Sequence, residues 1–264
     1  MSFELFAIAV AAAFFSGSLI LLNYGRFLGL RYLKRKGSIA GFAATEGAVF
    51  GLIGLLLAFT ISGALQRWDD RRQLVVQEAN AVATAYDRLA LFEAAVAPDL
   101  QDKLKNYVLA RIEFYRTPHD FSPWKDSEEI WSSVQKDKTD ALRDEIWDAA
   151  VAACPSTNFR PACLPALTAL NNAFEVARLR LGALERHPPQ VIYAMLFGLG
   201  LGGSLLAGFG MAAATVRSWV HMISFAGALA VALYAVTDVE FPRLGLVRVD
   251  SSDHFLVDAY SHMR

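Results

Sequence analysis

The stretch AATEGAVFGLIGLLLAFTISGALQRWDDRRQLVVQEANAVATAYDRLALFEAAV, residues 43–96, decides the fold. It contains no proline, and its glycines all lie in its first half. Residues 43–65 are apolar and long enough to cross a ~30 Å hydrocarbon core as a helix. Beyond them Leu74, Val75, Ala79, Val82, Tyr86, Leu89 and Phe92 recur at three- and four-residue steps, which is the spacing of an amphipathic helix. The first breaker is Pro98. The spacing therefore predicts one helix of about 50 residues, roughly 75 Å long, with half of its length outside the bilayer.

Three other runs match the apolar half in length: residues 3–22, 191–214 and 219–237. The expected class is all-α, an integral membrane protein with four transmembrane helices arranged two plus two. A helical extramembrane bundle stands between the second and third. The expected segments are 1–66 for membrane helices 1 and 2, 67–189 for the bundle, 190–238 for membrane helices 3 and 4, and 239–264 for a tail. Composition agrees: 55% of the 264 residues are hydrophobic, above the roughly 45–50% of ordinary domains. Residues 67–189 hold 16 Lys and Arg against 19 Asp and Glu. That balance lacks the concentrated basic footprint that nucleic acid requires. The first run carries only Glu4 before Leu22 and lacks a basic lead and a small-residue cleavage site, so it reads as a retained membrane helix and not a signal peptide.

Within the bundle, Pro98 and Asp99 open a helix whose stripe is Leu100, Leu104, Val108, Ile112 and Tyr115, ending near Thr117 and Pro118. Asp126 or Ser127 caps the next, with Ile130, Trp131, Val134, Leu142, Ile146, Trp147 and Val151 inward. The last carries Leu164, Leu167, Leu170, Phe174, Ala177, Leu181 and Leu184, and ends at His187-Pro188-Pro189. No alternating strand pattern with hairpin signals appears.

Charge sets the expected orientation. The loop after the first run carries Arg26, Arg31, Lys34, Arg35 and Lys36 without an acid, and Arg217 lies between the last two runs. Short cationic loops stay in the cytoplasm. Both termini and the 67–189 bundle are thus expected outside the cytoplasm. Arg67, Arg71, Arg72, Arg178, Arg180 and Arg186 flank the opposite face, but long domains count less in that rule. Cys154 and Cys163 enclose a polar loop with two prolines. A disulfide there is worth about 2–3 kcal/mol in the chain-entropy model and suits an oxidising compartment; the alternative is two reduced thiols.

No enzyme is expected. Gly198-Leu-Gly-Leu-Gly-Gly203 matches a dinucleotide fingerprint, but it falls inside an apolar run and not after a strand. Its spacings, Gly198 with Gly202 and Ser204 with Gly208, suit close packing of membrane helices. Gly47, Gly51, Gly54, Ala58 and Ser62 repeat the device on helix 2; lining a narrow pore is the other reading. On the pore reading, Glu46, Phe50, Ile53, Leu57, Thr60 and Ala64 form one candidate stripe facing the axis, and periodicity leaves the glycine stripe as the alternative. Glu46, near the start of the run, either serves ion entry or reaches headgroup water. Asp238 and Glu240 stand at the outer end of the last run. His119, His187, His221, His254 and His262 are scattered, so neither metal nor cofactor is expected. Asp69 and Asp70, beside Arg67, Arg71 and Arg72, read as ion pairs on a helix.

Two stretches carry a family resemblance. One is GLIGLLLAFTISGAL, residues 51–65, followed by RRQLVVQEANAVATAYDR, residues 71–88; the other is DVEFPRLGLVRV, residues 238–249. They resemble the bacterial bestrophin-like domain family, and the two-plus-two layout agrees. The motif residues are Arg71, Arg72, Glu78, Asn80, Tyr86, Arg88, Pro242 and Arg243. The resemblance implies remote kinship with bestrophins, which are pentameric anion channels whose second helix lines the pore. The acidic calcium-clasp run of those channels is absent from this sequence. Bestrophins keep their helical domain in the cytoplasm, the side opposite to the one that the charge rule gives. The expected function is a homo-oligomeric, channel-like protein in the lipid bilayer of the bacterial inner membrane, with the bundle on the periplasmic side; the resemblance implies a pentamer and an anion channel. The alternative is a membrane-anchored interaction or sensing module without a pore.

Overall fold

A computed structural model describes residues 3–38, 41–116, 135–154, 163–184, 186–214, 216–241, 245–247 and 252–263. Among them the chain is all helical. The helices are α1 (Phe3–Lys36), α2 (Phe42–Leu89), α3 (Ala97–Arg116), α4 (Gln135–Ala152), α5 (Cys163–Leu184), α6 (Gln190–Gly210), α7 (Trp219–Glu240) and α8 (His254–His262). A 3-10 turn, Met211–Ala213, continues α6. Four helices, α1, α2, α6 and α7, are long and apolar enough to cross a membrane, with α3–α5 between them.

The chain divides into two compact units. The first comprises Met1–Gln66 and His187–Val247. Here α1 packs along α6 and α7. Built Cβ atoms at Gly25 and Gly208 would collide with the backbone at Leu205 and Leu22 respectively; α1 and α6 thus meet almost backbone to backbone, as small residues allow in membranes. Gly200 and Gly203 make similar room for Phe14 and for Ile53 with Phe50, whereas Gly198 and Gly202 face open space. The small residues of α6 are therefore contact points, but on a different register from the Gly198–Gly202 pair. The basic segment expected as a loop is helical: α1 runs on to Lys36 and ends at Gly37, whose φ of 77° and N–H bond to the Leu33 carbonyl close the helix. No proline interrupts residues 23–36, and α6 packs against Gly25 and Gly29.

The second unit comprises Arg67–Arg186 and Arg248–Arg264. Its core joins Val82, Tyr86 and Leu89 of α2 to Leu100, Leu104 and Val108 of α3, Ile146 of α4 and Leu170 of α5. Each large side chain so buried contributes about 1.5–3 kcal/mol. The expected stripes of α2 and α3 are the buried faces, while Val151 of α4 is exposed. The α2 helix ends at Leu89, seven residues before Val96. Tight turns at Leu91 and Phe92 reverse the chain, which returns Phe92 and Val96 to the core that Leu89 already fills. The caps at Asp126 or Ser127 and the inward set Ile130, Trp131 and Val134 lie outside the described residues. Cys154, just past α4, and Cys163, the first residue of α5, form a disulfide with Cα atoms 5.9 Å apart. The tail divides: Gly245–Val247 belong with the first unit and α8 with the second, where Leu256 and Met263 enter the core.

Candidate functional site

In the first unit, α2 presents two unlike faces. Phe50 meets Phe225 of α7 with ring centroids 5.5 Å apart, and Phe50 and Ile53 fill the space over Gly203. Leu57 packs with the cluster of Phe14, Leu196 and Leu233. Thr60 is buried and its hydroxyl donates to the Leu56 carbonyl at 2.7 Å. Ala64 is buried, and the Glu46 carboxylate lies beside Gly210. The stripe Glu46, Phe50, Ile53, Leu57, Thr60 and Ala64 is thus the face by which α2 lies against helices of its own chain. The other face, with Gly47, Gly51, Gly54, Ala58 and Ser62, is exposed, and no atom of the described residues lies within 4 Å of a Cβ built at any of the three glycines. Leu55 and Phe59 stand beside it, 53% and 68% exposed. The reason is complementarity: bulky Phe50 and Ile53 fill what the α6 glycines leave open, which two glycine faces together do not.

The second unit holds a buried ionic cluster. Glu78 of α2 accepts Arg111 Nε of α3 at 2.8 Å and Arg180 Nη1 of α5 at 2.7 Å. Arg180 Nη2 donates to Asp253, next to α8, at 2.6 Å. Arg111 also donates to the Tyr115 hydroxyl at 2.8 Å and to the Ala177 carbonyl at 3.1 Å, and the Arg180 guanidinium lies 3.6 Å over the Tyr115 ring. Two acids balance two cations. Burial alone would push the Glu78 carboxyl up; the Arg111 and Arg180 guanidiniums outweigh it and hold it below its ordinary value. The cluster holds no nucleophile paired with a base, and its donors are engaged in binding four helices together.

The other described motif residues of α2 make contacts of their own. Arg71 donates to the Ala183 and Arg186 carbonyls at 3.0 and 2.9 Å, satisfying the C-terminal end of α5. Arg72 donates to Ser252 at 3.3 Å and lies 4.7 Å over the Trp68 ring. Arg88 donates to the Pro165 carbonyl at 3.2 Å. Tyr86 is buried, and Asn80 is exposed. Pro242 and Arg243 lie outside the described residues. Asp238, in the first unit, accepts the N–H groups of Leu246 and Val247 at 2.8 and 2.9 Å, and the Glu240 carboxylate, fully buried, meets His187 at 3.3 Å.

Sequence reading did not single out Arg111 or Asp253, and it took Arg180 only as one of the cations flanking the membrane, whereas its side chain is buried on Glu78. A signal existed for the two arginines. Arg111 lies three residues after Val108 and four before Tyr115, and Arg180 three after Ala177 and four before Leu184. Each is a cation on an otherwise apolar face, a placement that demands a buried partner.

Comparison with known proteins places this architecture. A family model described as Bestrophin-like domain matches residues 9–253. The structure is similar to that of a bacterial bestrophin homologue from Klebsiella pneumoniae. A single-substitution variant gives a TM-score of 0.62 at 14% identity, covering 93% of this chain and 98% of that one. A second crystal structure of a bestrophin homologue from the same organism, phased on zinc, gives 0.63 at 12% identity, covering 92% and 97%. No curated protein matches the chain.

Proposed function

The chain belongs to the Bestrophin-like family, and from that premise we propose that it assembles as a homo-oligomer into a membrane channel for small ions, with α2 around the axis. The observation that carries this reading is the face of α2 that none of the described residues of its own chain covers. Opposite the packed stripe stand Gly51, Leu55 and Ser62, flanked by Ala58 and Phe59. Small residues admit a neighbouring helix closely, and Leu55 with Phe59 forms an apolar collar that gates by dewetting. No charged residue occurs from residue 47 to residue 66, so the narrow part selects by the cost of stripping water from an ion, and Glu46 acts only near one end. Anions are the expected cargo by kinship with bestrophins, and a pentamer is the expected assembly.

The same reading puts the protein in a bacterial inner membrane with the disulfide-bearing unit in the periplasm. The five cations from Arg26 to Lys36 and the bonded pair Cys154 and Cys163 support that side. The deciding experiment reconstitutes the purified full-length protein in planar bilayers under a salt gradient. Discrete currents with a reversal potential at the anion equilibrium value are expected. A silent protein whose α2 face is covered by lipid would favour a membrane-anchored interaction module.

A further inference from the structure

A cavity of about 250 Å³ opens in the first unit where α1 leaves its apolar run and the chain passes from α6 to α7. Met211, Val216 and Met222 give it hydrocarbon walls, while Arg26, Ser218 and His221 supply its polar atoms. Arg26 lies four residues past Leu22, about 6 Å further along the helix, which is headgroup depth. One guanidinium nitrogen reaches the Ala214 carbonyl at a long 3.5 Å. Its Nε is buried with no partner among the described residues. Ser218 Oγ lies 2.6 Å from His221 Nδ1 in the first turn of α7. Arg217, bonded to Asn23 and 3.7 Å over the Trp219 ring, adds a second cation nearby. Among the described residues no carboxylate lines the cavity; Glu46 lies beside Gly210.

A part-buried guanidinium beside hydrocarbon walls, whose Nε has no acceptor among the described residues, suits an anionic oxygen joined to an apolar body. Free phosphate would gain nothing from the apolar walls. A zwitterionic headgroup would bring its own cation toward Arg26 and Arg217. Basic pockets between membrane helices hold anionic headgroups, and this one is smaller than the ~300–1,000 Å³ sites that enclose whole ligands. We propose that the cavity binds the phosphate of an anionic phospholipid through Arg26, with the acyl chains outside it in the bilayer. The site is separate from the α2 face and does not depend on conduction.

The test uses the full-length protein, stripped of lipid in neutral detergent and titrated with phosphatidylglycerol, phosphatidylcholine or inorganic phosphate. Lipid retention is read by native mass spectrometry and melting temperature by thermal unfolding. Phosphatidylglycerol is expected to be retained and to raise the melting temperature. Arg26→Gln lowers retention about ten-fold, the worth of one charge-assisted hydrogen bond. Arg35→Gln, which removes the same charge elsewhere on α1, changes it by less than about two-fold. Val216→Trp, which fills the cavity from an exposed position and leaves the charges in place, also abolishes retention, and serves if Arg26→Gln does not fold. Equal retention of phosphatidylcholine, equal effects of Arg26→Gln and Arg35→Gln, or unchanged retention in Val216→Trp would overturn the proposal. A full stabilising response to inorganic phosphate alone would overturn the lipid in favour of a free anion.

Discussion

Glu78 on α2 and Arg180 on α5 are 102 residues apart in the chain and 2.7 Å apart in the fold. With Arg111 they bury an ion cluster beneath Tyr115. Removing one member leaves the others charged and dry, at a cost of about 3–5 kcal/mol. Glu78→Ala is therefore expected to destabilise the second unit by that amount in denaturant unfolding. Glu113→Ala, which removes the exposed partner of Lys138, costs about 0–1 kcal/mol. Equal effects of the two substitutions would refute the assignment.

The same cluster gives the unit a pH dependence of known sign. Glu78 has a folded-state pKa below its ordinary 4.5. Its contribution is complete above that value and disappears as pH falls through the folded-state value. The second unit should lose stability toward acid, and Glu78→Gln should flatten that slope. Unfolding midpoints measured from pH 3 to pH 7, roughly the window in which carboxylates titrate, check this. An unaltered slope in Glu78→Gln would assign the acid sensitivity to other carboxylates.

Helix–helix contact in the first unit rests on Gly25 and Gly208, where added Cβ atoms meet backbone. Gly208→Val should prevent α1 and α6 from closing and lower the melting temperature strongly. Gly202→Ala, in open space within the chain, should stay within about 0.5 kcal/mol, as surface substitutions do. Thermal unfolding in detergent separates them, and similar melting points would remove the basis for the close approach.

The sequence was most readable where one force acts alone. Apolar length marked α1, α2, α6 and α7, and three- and four-residue spacing marked the buried faces of α2 and α3. Boundaries were harder. Residues 23–36 look like a loop because they are basic, yet helix continues there because Gly25 and Gly29 pack on α6. The direction in which α2 faces was not legible either. Periodicity defines two faces, and which one is inward depends on whether Phe50 and Ile53 find room over Gly203, a property of two helices together. The cation partners of Glu78 sit 33 and 102 residues away, beyond what local pattern reports.

Topology is testable through exposed positions. In a Cys154→Ser/Cys163→Ser background, Asp144→Cys on α4 should react with a membrane-impermeant maleimide in intact spheroplasts, and Arg31→Cys on α1 only after lysis. The native pair itself should resist alkylation until reduced, and its removal should cost about 2–3 kcal/mol. Labelling of Arg31→Cys before lysis would place the basic end outside the cytoplasm and invert the orientation.

The pore assignment separates two faces of one helix. Leu55 and Phe59 are exposed within the chain, whereas Ile53 is 5% exposed and seated over Gly203. If α2 surrounds the axis with its uncovered face, Leu55→Ala and Phe59→Ala widen the apolar collar and raise single-channel conductance, since shorter side chains lower the barrier to wetting. Ile53→Ala instead opens a cavity inside the subunit, costing about 2–5 kcal/mol and leaving conductance in surviving channels nearly unchanged. Glu46→Gln, beside Gly210, should shift selectivity modestly, because its charge stands near one end of the span and not in the collar. Planar-bilayer recordings of the four variants decide the matter. If conductance rises in Ile53→Ala and stays constant in Leu55→Ala and Phe59→Ala, the axis faces the stripe of Glu46, Phe50, Ile53, Leu57 and Thr60, and the subunit must open between α2 and α6 to expose it.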